Sequence, residues 1–148
     1  MDDLDNNTLK NIPKDCELII DGNNNQILFF GVDAIFKKSK LNITITGSNN
    51  VISIKSGVKI SGNITINGTN SRISIGEGTS LSNITFYLRS NCIMAFGKGV
   101  TSPRQSGFYI NMHSSTQLLI GDDAMFSYNI KILIGDGHYI YDINNKKK

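Results

Sequence analysis

Tryptophan is absent from this chain, and proline and cysteine occur only twice each. The two cysteines, Cys16 and Cys92, match no metal-ligand spacing, so a cysteine-based metal site is excluded. Each is expected to be a small buried apolar side chain rather than half of a disulfide. Long apolar runs are also missing. No stretch approaches the roughly 20 apolar residues of a membrane-spanning helix. The start, Met1-Asp-Asp-Leu-Asp-Asn-Asn, lacks the charged and apolar regions of a signal peptide. These absences predict a cytoplasmic protein with no membrane span. No window carries a sustained i, i+3, i+4, i+7 apolar stripe, so helices are expected to be scarce. Asp33–Lys40 is the one place where a short helical turn competes with a strand and a lysine-rich corner.

Charge of either sign is weak. The formal net charge is +3, and Lys146, Lys147 and Lys148 supply much of it. Without that run the body is nearly neutral, which argues against a basic groove for nucleic acid. Clustered carboxylates are lacking too, so a polysaccharide-cleaving β-helix finds no support.

Glycine, asparagine and isoleucine are plentiful, and hydrophobic residues make up 39% of the 148 positions. This is a β-rich composition with many turns, and it is long enough for one domain with a continuous core. The chain also repeats itself. Asn42-Ile-Thr-Ile-Thr-Gly-Ser-Asn-Asn aligns with Asn63-Ile-Thr-Ile-Asn-Gly-Thr-Asn-Ser. Further units begin at Asn83-Ile-Thr-Phe and Asn129-Ile-Lys-Ile, and a looser one runs through Leu18–Phe30. The period is about 20 residues, as in stacked-coil solenoids.

The clearest unit holds three alternating stretches: Ile43/Ile45, Ile52/Ile54 and Val58/Ile60. Alternation with period two sends every second side chain inward. Three stretches separated by Gly, Asn and Ser predict three faces and three corners. Asn and Gly suit corners because they tolerate left-handed backbone angles. The Asn-x-Thr triplets at Asn42, Asn63, Asn67 and Asn83 are read as corner residues. Gly97–Gly107 breaks the pattern and is expected to be a loop that stretches its unit to about 25 residues. Residues 1–15 form a lead-in or cap, 16–145 the β-helix, and 146–148 a lysine tail or a loop cut short.

These patterns resemble the hexapeptide-repeat acyltransferases, most of all those that O-acetylate sugars of bacterial capsules or lipopolysaccharides. Ile73-Ser-Ile-Gly-Glu-Gly-Thr and Ile120-Gly-Asp-Asp-Ala are hexapeptide-like. The more specific signal is Met125-Phe-Ser-Tyr-Asn-Ile-Lys-Ile followed by Gly135-Asp-Gly-His-Tyr-Ile-Tyr-Asp. The resemblance implies an all-β fold, a left-handed parallel β-helix shaped as a three-sided prism. It implies acetyl-CoA as cosubstrate, a sugar acceptor and a homotrimer with sites between adjacent prisms. It makes His138 the general base, with Asp136 and Asn129 orienting the imidazole or the acceptor. Relatives continue with further coils that bind CoA, so this chain is expected to be shortened relative to them.

The residues around that motif have competing readings. His138 is a catalytic base or a surface corner histidine. His113 is structural or faces the acceptor. Tyr139 and Tyr141 stack on a sugar or pack on the prism exterior. Asp122 and Asp123 point to opposite faces of a strand and are expected at a corner. Gly135-Asp-Gly137 lacks the following helix that a phosphate loop needs. A non-catalytic scaffold or carbohydrate-binding fragment is the alternative to the enzyme. An ice-binding face would require threonines stacked on coil after coil, and here only Thr44 and Thr65 align, with Thr85 expected to continue the column.

Overall fold

The computed structural model describes residues 6–135. They form a parallel β-helix of stacked coils, with no helix among the described residues. Strands β2 (Cys16–Asp21), β4 (Leu41–Thr46), β6 (Lys59–Asn67), β8 (Ser80–Leu88), β10 (Phe108–Met112) and β12 (Ile130–Ile134) make one six-stranded sheet, here sheet B. Strands β1 (Thr8–Lys10), β3 (Gln26–Phe29), β5 (Val51–Ile54), β7 (Arg72–Ile75), β9 (Ile93–Phe96) and β11 (Gln117–Ile120) make the other, sheet A. The third side is narrower. It consists of the first residues of β6 and β8 and the bridges Ile35–Ile60, Ser80–Thr101 and Thr101–Met125. All of the pairing is parallel.

The alternating pattern sets which side chains enter the prism. Ile43, Ile45, Ile52, Ile54, Val58 and Ile60 of the second coil are all at most 1% exposed. Each packs on its equivalent one coil away, so burial that no single coil could achieve is shared along the stack. From coil 4 the filling changes from isoleucine to aromatic rings. Phe86 stacks on Phe96 with centroids 5.6 Å apart, and Phe108 meets both edge-on and tilts against Phe126.

Cys16, Leu41, Gly62, Ile84, Phe108 and Ile130 stand in register, in steps of 25, 21, 22, 24 and 22 residues. The coils are therefore slightly longer than the repeat suggests, and less even. Residues 36–40 and 102–106 project at the corner leading into sheet B, where the lysine-rich and proline-containing segments were expected to interrupt the pattern. Asp33–Lys40 makes the bridge at Ile35 and then a turn, not a helix.

Two sequence-based alignments shift. Asn42 and Asn63 are not at corners: they lie in β4 and β6, facing out, with Asn42 Nδ2 donating to Asn63 Oδ1 at 3.0 Å. Thr85 does not continue the Thr44–Thr65 column, where Tyr87 stands instead; Thr85 pairs with Asn63. The cause is a bulge that sets Ser82 and Asn83 against Ser61 alone. Asn83 is left-handed (φ 54°), and its N–H is taken up by Ser61 Oγ at 3.0 Å.

Cys92 is buried, Cys16 is partly buried, and both are free thiols. Burial pushes the Cys16 thiol up to about 11.

Candidate functional site

The corner between sheets B and A governs what reaches the outer surface. It ends in a left-handed residue and then an inward one in five successive coils. The left-handed residues are Asn24, Asn49, Asn70, Asn91 and Ser115, with φ between 58° and 63°. The inward residues are Asn25, Asn50, Ser71, Cys92 and Thr116, the first four fully buried. They form a polar ladder inside the prism. Asn25 Oδ1 accepts from Asn50 N–H at 3.0 Å, and Asn50 Oδ1 accepts from Ser71 N–H at 2.9 Å. Ser71 Oγ accepts from Cys92 N–H at 3.0 Å. In the other direction Asn25 and Asn50 donate to the Gly47 and Gly68 carbonyls, Ser71 to Arg89 O and Cys92 Sγ to His113 O. Asn7 adds a first rung, accepting from Asn25 N–H and donating to Gly22 O.

The residue that opens the corner differs along the stack. In the first three coils it is Gly22, Gly47 and Gly68. A Cβ on Gly22 or Gly47 would overlap the carbonyl oxygen of the next glycine in the column. In coils 4 and 5 the corner is one residue shorter: Ile66 pairs with Leu88, whereas Arg72 pairs with Ile93. The shortened corners contain no glycine: Arg89 and His113 continue the outward row of Thr46 and Asn67, and Ser90 stands against Gly68. Glycine returns at Gly135, where a Cβ would lie 2.5 Å from that of His113.

Two side chains thus emerge beside the outer face of sheet B, next to Tyr87 on β8 and to Tyr109 and Asn111 on β10. Asn111 is the register partner of Tyr87, and Lys131 on β12 that of Tyr109. The Arg89 guanidinium lies 5.3 Å from the Tyr87 ring centroid and Lys131 Nζ 5.6 Å from that of Tyr109. The tyrosine hydroxyls accept from Asn67 Nδ2 at 3.2 Å and Asn111 Nδ2 at 3.1 Å. Arg89 Nη1 and Asn111 Oδ1 are buried without a hydrogen-bond partner among the described residues. Such groups are uncommon and costly.

The residues singled out in the sequence distribute as follows. His113 belongs to this patch: its N–H donates to Ile134 O at 2.9 Å and its side chain lies against Gly135. Asn129 does not. It is an exposed left-handed corner residue (φ 53°) ahead of β12, its N–H donating to Ser106 Oγ at 2.6 Å, as Asn83 does two coils earlier. It stands at the opposite end of β12 from Gly135, about 20 Å away for six extended residues. Asp136, His138, Tyr139 and Tyr141 lie outside the described residues. Asp122 and Asp123 are at a corner: Asp122 Oδ1 accepts from Lys98 N–H at 2.8 Å, and Asp123 is left-handed.

Sequence reasoning missed Arg89, Tyr87, Tyr109 and Asn111. The available signal was the loss of glycine from the corner where Gly22, Gly47 and Gly68 repeat. A depression of about 390 Å³ lies elsewhere, lined by Asn11, Pro13, Lys14, Asp15, Gly31 and Val32 among others. It contains no histidine, serine or cysteine.

No protein-family model matches the chain, and no curated protein or solved structure matches it at a significant level. Among the described residues no helix is long and apolar enough to cross a membrane.

Proposed function

We propose that this protein transfers an acetyl group from acetyl-CoA to a hydroxyl of a bacterial surface-polysaccharide sugar, with His138 as general base. The observation that carries this reading is the parallel β-helix with its hexapeptide-like segments in one column. Ile73–Thr79 and Ile120–Ala124 both run from the end of a sheet A strand into the same corner, two coils apart. The hydroxyl is a poor nucleophile at neutral pH. A histidine with a pKa near 6.5 takes its proton as the oxygen attacks the thioester carbonyl. Collapse of the tetrahedral intermediate then releases the CoA thiol, which recovers the proton. Asp136 is proposed to orient the imidazole or the acceptor, His113, Tyr139 and Tyr141 to hold the sugar, and a homotrimer to complete the site; Asn129, at the far end of β12, takes no part in it.

The test is acetyl transfer from labelled acetyl-CoA to a panel of nucleotide sugars and oligosaccharides. His138→Ala is expected to lower kcat by about 10²–10⁴-fold, the usual worth of a general base. His113→Ala is expected to raise KM with a smaller effect on kcat. Equal turnover in His138→Ala would remove the base from the mechanism. Saccharide binding without transfer would favour a non-catalytic carbohydrate-binding β-helix, a reading that the Tyr87–Tyr109 patch also suits.

A further inference from the structure

The outer face of sheet B is electrically lopsided. On β4, β6, β8, β10 and β12 no described outward residue is a carboxylate; the nearest acids on this face are Glu17 and Asp21 on β2. Lys40, just ahead of β4, is paired with Glu17 at 3.0 Å; the cations of this face without a carboxylate partner among the described residues are Arg89 on coil 4 and Lys131 on coil 6, with His113 between them on coil 5. They coincide with the two tyrosines. Tyr87 and Tyr109 are diagonal neighbours on adjacent strands, about 8 Å apart from the strand spacing and rise. Asn111 sits beside both.

We infer that this patch binds a carboxylated saccharide. The guanidinium of Arg89 is braced against an aromatic ring and forms no salt bridge among the described residues. Its Nη1 has no partner, so a small rotation offers a planar pair of donors that match a carboxylate bidentately. Lys131, exposed and resting on Tyr109, supplies a second positive charge two coils on from Arg89. The unpartnered Asn111 Oδ1 is an acceptor for a sugar hydroxyl. The half-buried tyrosines give an amphipathic surface suited to the C–H face of a pyranose. A nucleic acid fits less well. The basic group on this face covers only three coils and does not continue as a stripe along the prism, so a run of phosphates would leave it after one or two contacts.

The inference deepens the acyl-transfer reading by naming the acceptor as an acidic sugar, and it rests on that reading for its role. Binding can be measured without turnover. Calorimetry would compare a galacturonic acid trisaccharide with its methyl ester, which keeps the shape and removes the charge. The acid is expected to bind at least tenfold tighter than the ester at low salt. Arg89→Gln is expected to abolish that preference. Lys131→Gln, at an exposed site that does not test folding, should reduce it severalfold. Equal affinity for acid and ester, an unchanged preference in both variants, or no binding of either would overturn the inference. So would tighter binding of a thymidine oligonucleotide or of inorganic phosphate. Acid-selective binding without acetyl transfer would sustain this patch while removing the enzyme reading. Transfer to neutral sugars alone would do the reverse.

Discussion

Glycine at 47 answers to a steric limit that glycine at 78 does not share. Gly47 has φ +134° and its α-carbon faces the Gly68 carbonyl, whereas Gly78 has φ +67° and open space around it. Gly47→Ala must move one coil away from the next. It is expected to cost more than about 3 kcal/mol, among the largest effects single substitutions show. Gly78→Ala meets only the left-handed backbone penalty of about 1–2 kcal/mol. Urea unfolding of the two variants side by side checks the contrast; equal losses would show that the backbone angle, not the coil contact, dominates. At this scale the sequence is legible only by residue type. Gly and Asn announce corners, but nothing in Asn49-Asn50 says that the first turns the chain and the second enters the core. Context decides it: the residue directly before each sheet A strand points inward, where a row of orphan N–H and C=O groups needs partners.

The polar ladder is the element that these inward residues build. Its rungs change from Asn to Ser to Cys to Thr, yet the hydrogen-bond pattern survives through Cys92 because each side chain offers a donor, and the first rungs an acceptor as well. Asn50→Ala would strand Ser71 N–H and the Gly68 carbonyl inside the prism. At about 1–3 kcal/mol for each buried unsatisfied group, the loss should be about 2–6 kcal/mol. Cys92→Ser keeps a donor for His113 O and should stay within about 1 kcal/mol of the parent. Chemical denaturation measures both, and amide exchange at Ser71 reports the broken rung directly. The strands themselves were readable from alternation in the sequence. Their register was not, because the Ser82–Asn83 bulge and the shortened corner at Arg89 each displace the repeat by less than a coil. The same shortening hides the outer patch, since a repeat-based alignment compares Arg89 with the wrong neighbour. His113 was visible as a histidine; its place in the row of Arg89, next along the face from Asn111, was not.

At the scale of the whole molecule the prism has two kinds of interior. Coils 2 and 3 are filled by isoleucine, and coils 4 and 5 carry Phe86, Phe96, Phe108 and Phe126. Phe108 touches the other three rings, so Phe108→Ala removes contacts to the coil before it and across its own coil and should cost about 3–5 kcal/mol. In a stack held by nearest-neighbour interfaces, the loss should appear as faster amide exchange in β8, β10 and β12, with β4 and β5 nearly unaffected. Uniformly raised exchange along the chain would mean that the prism unfolds as one unit. The solenoid plan and most inward residues follow from sequence periodicity alone, because a period of two has one geometric solution. The glycine column has a further meaning at this scale. Coil 2 carries its own opening glycine, its own left-handed asparagine and its own ladder rung, all matching the coils on either side. It is thus a complete copying unit: a tandem duplication of 41–61 would bring every contact its neighbours require. Coil 4 lacks that property, because its corner is a residue short and contains no glycine. The chain can therefore lengthen by internal copying on one side of Arg89 while the surface on the other side keeps its composition.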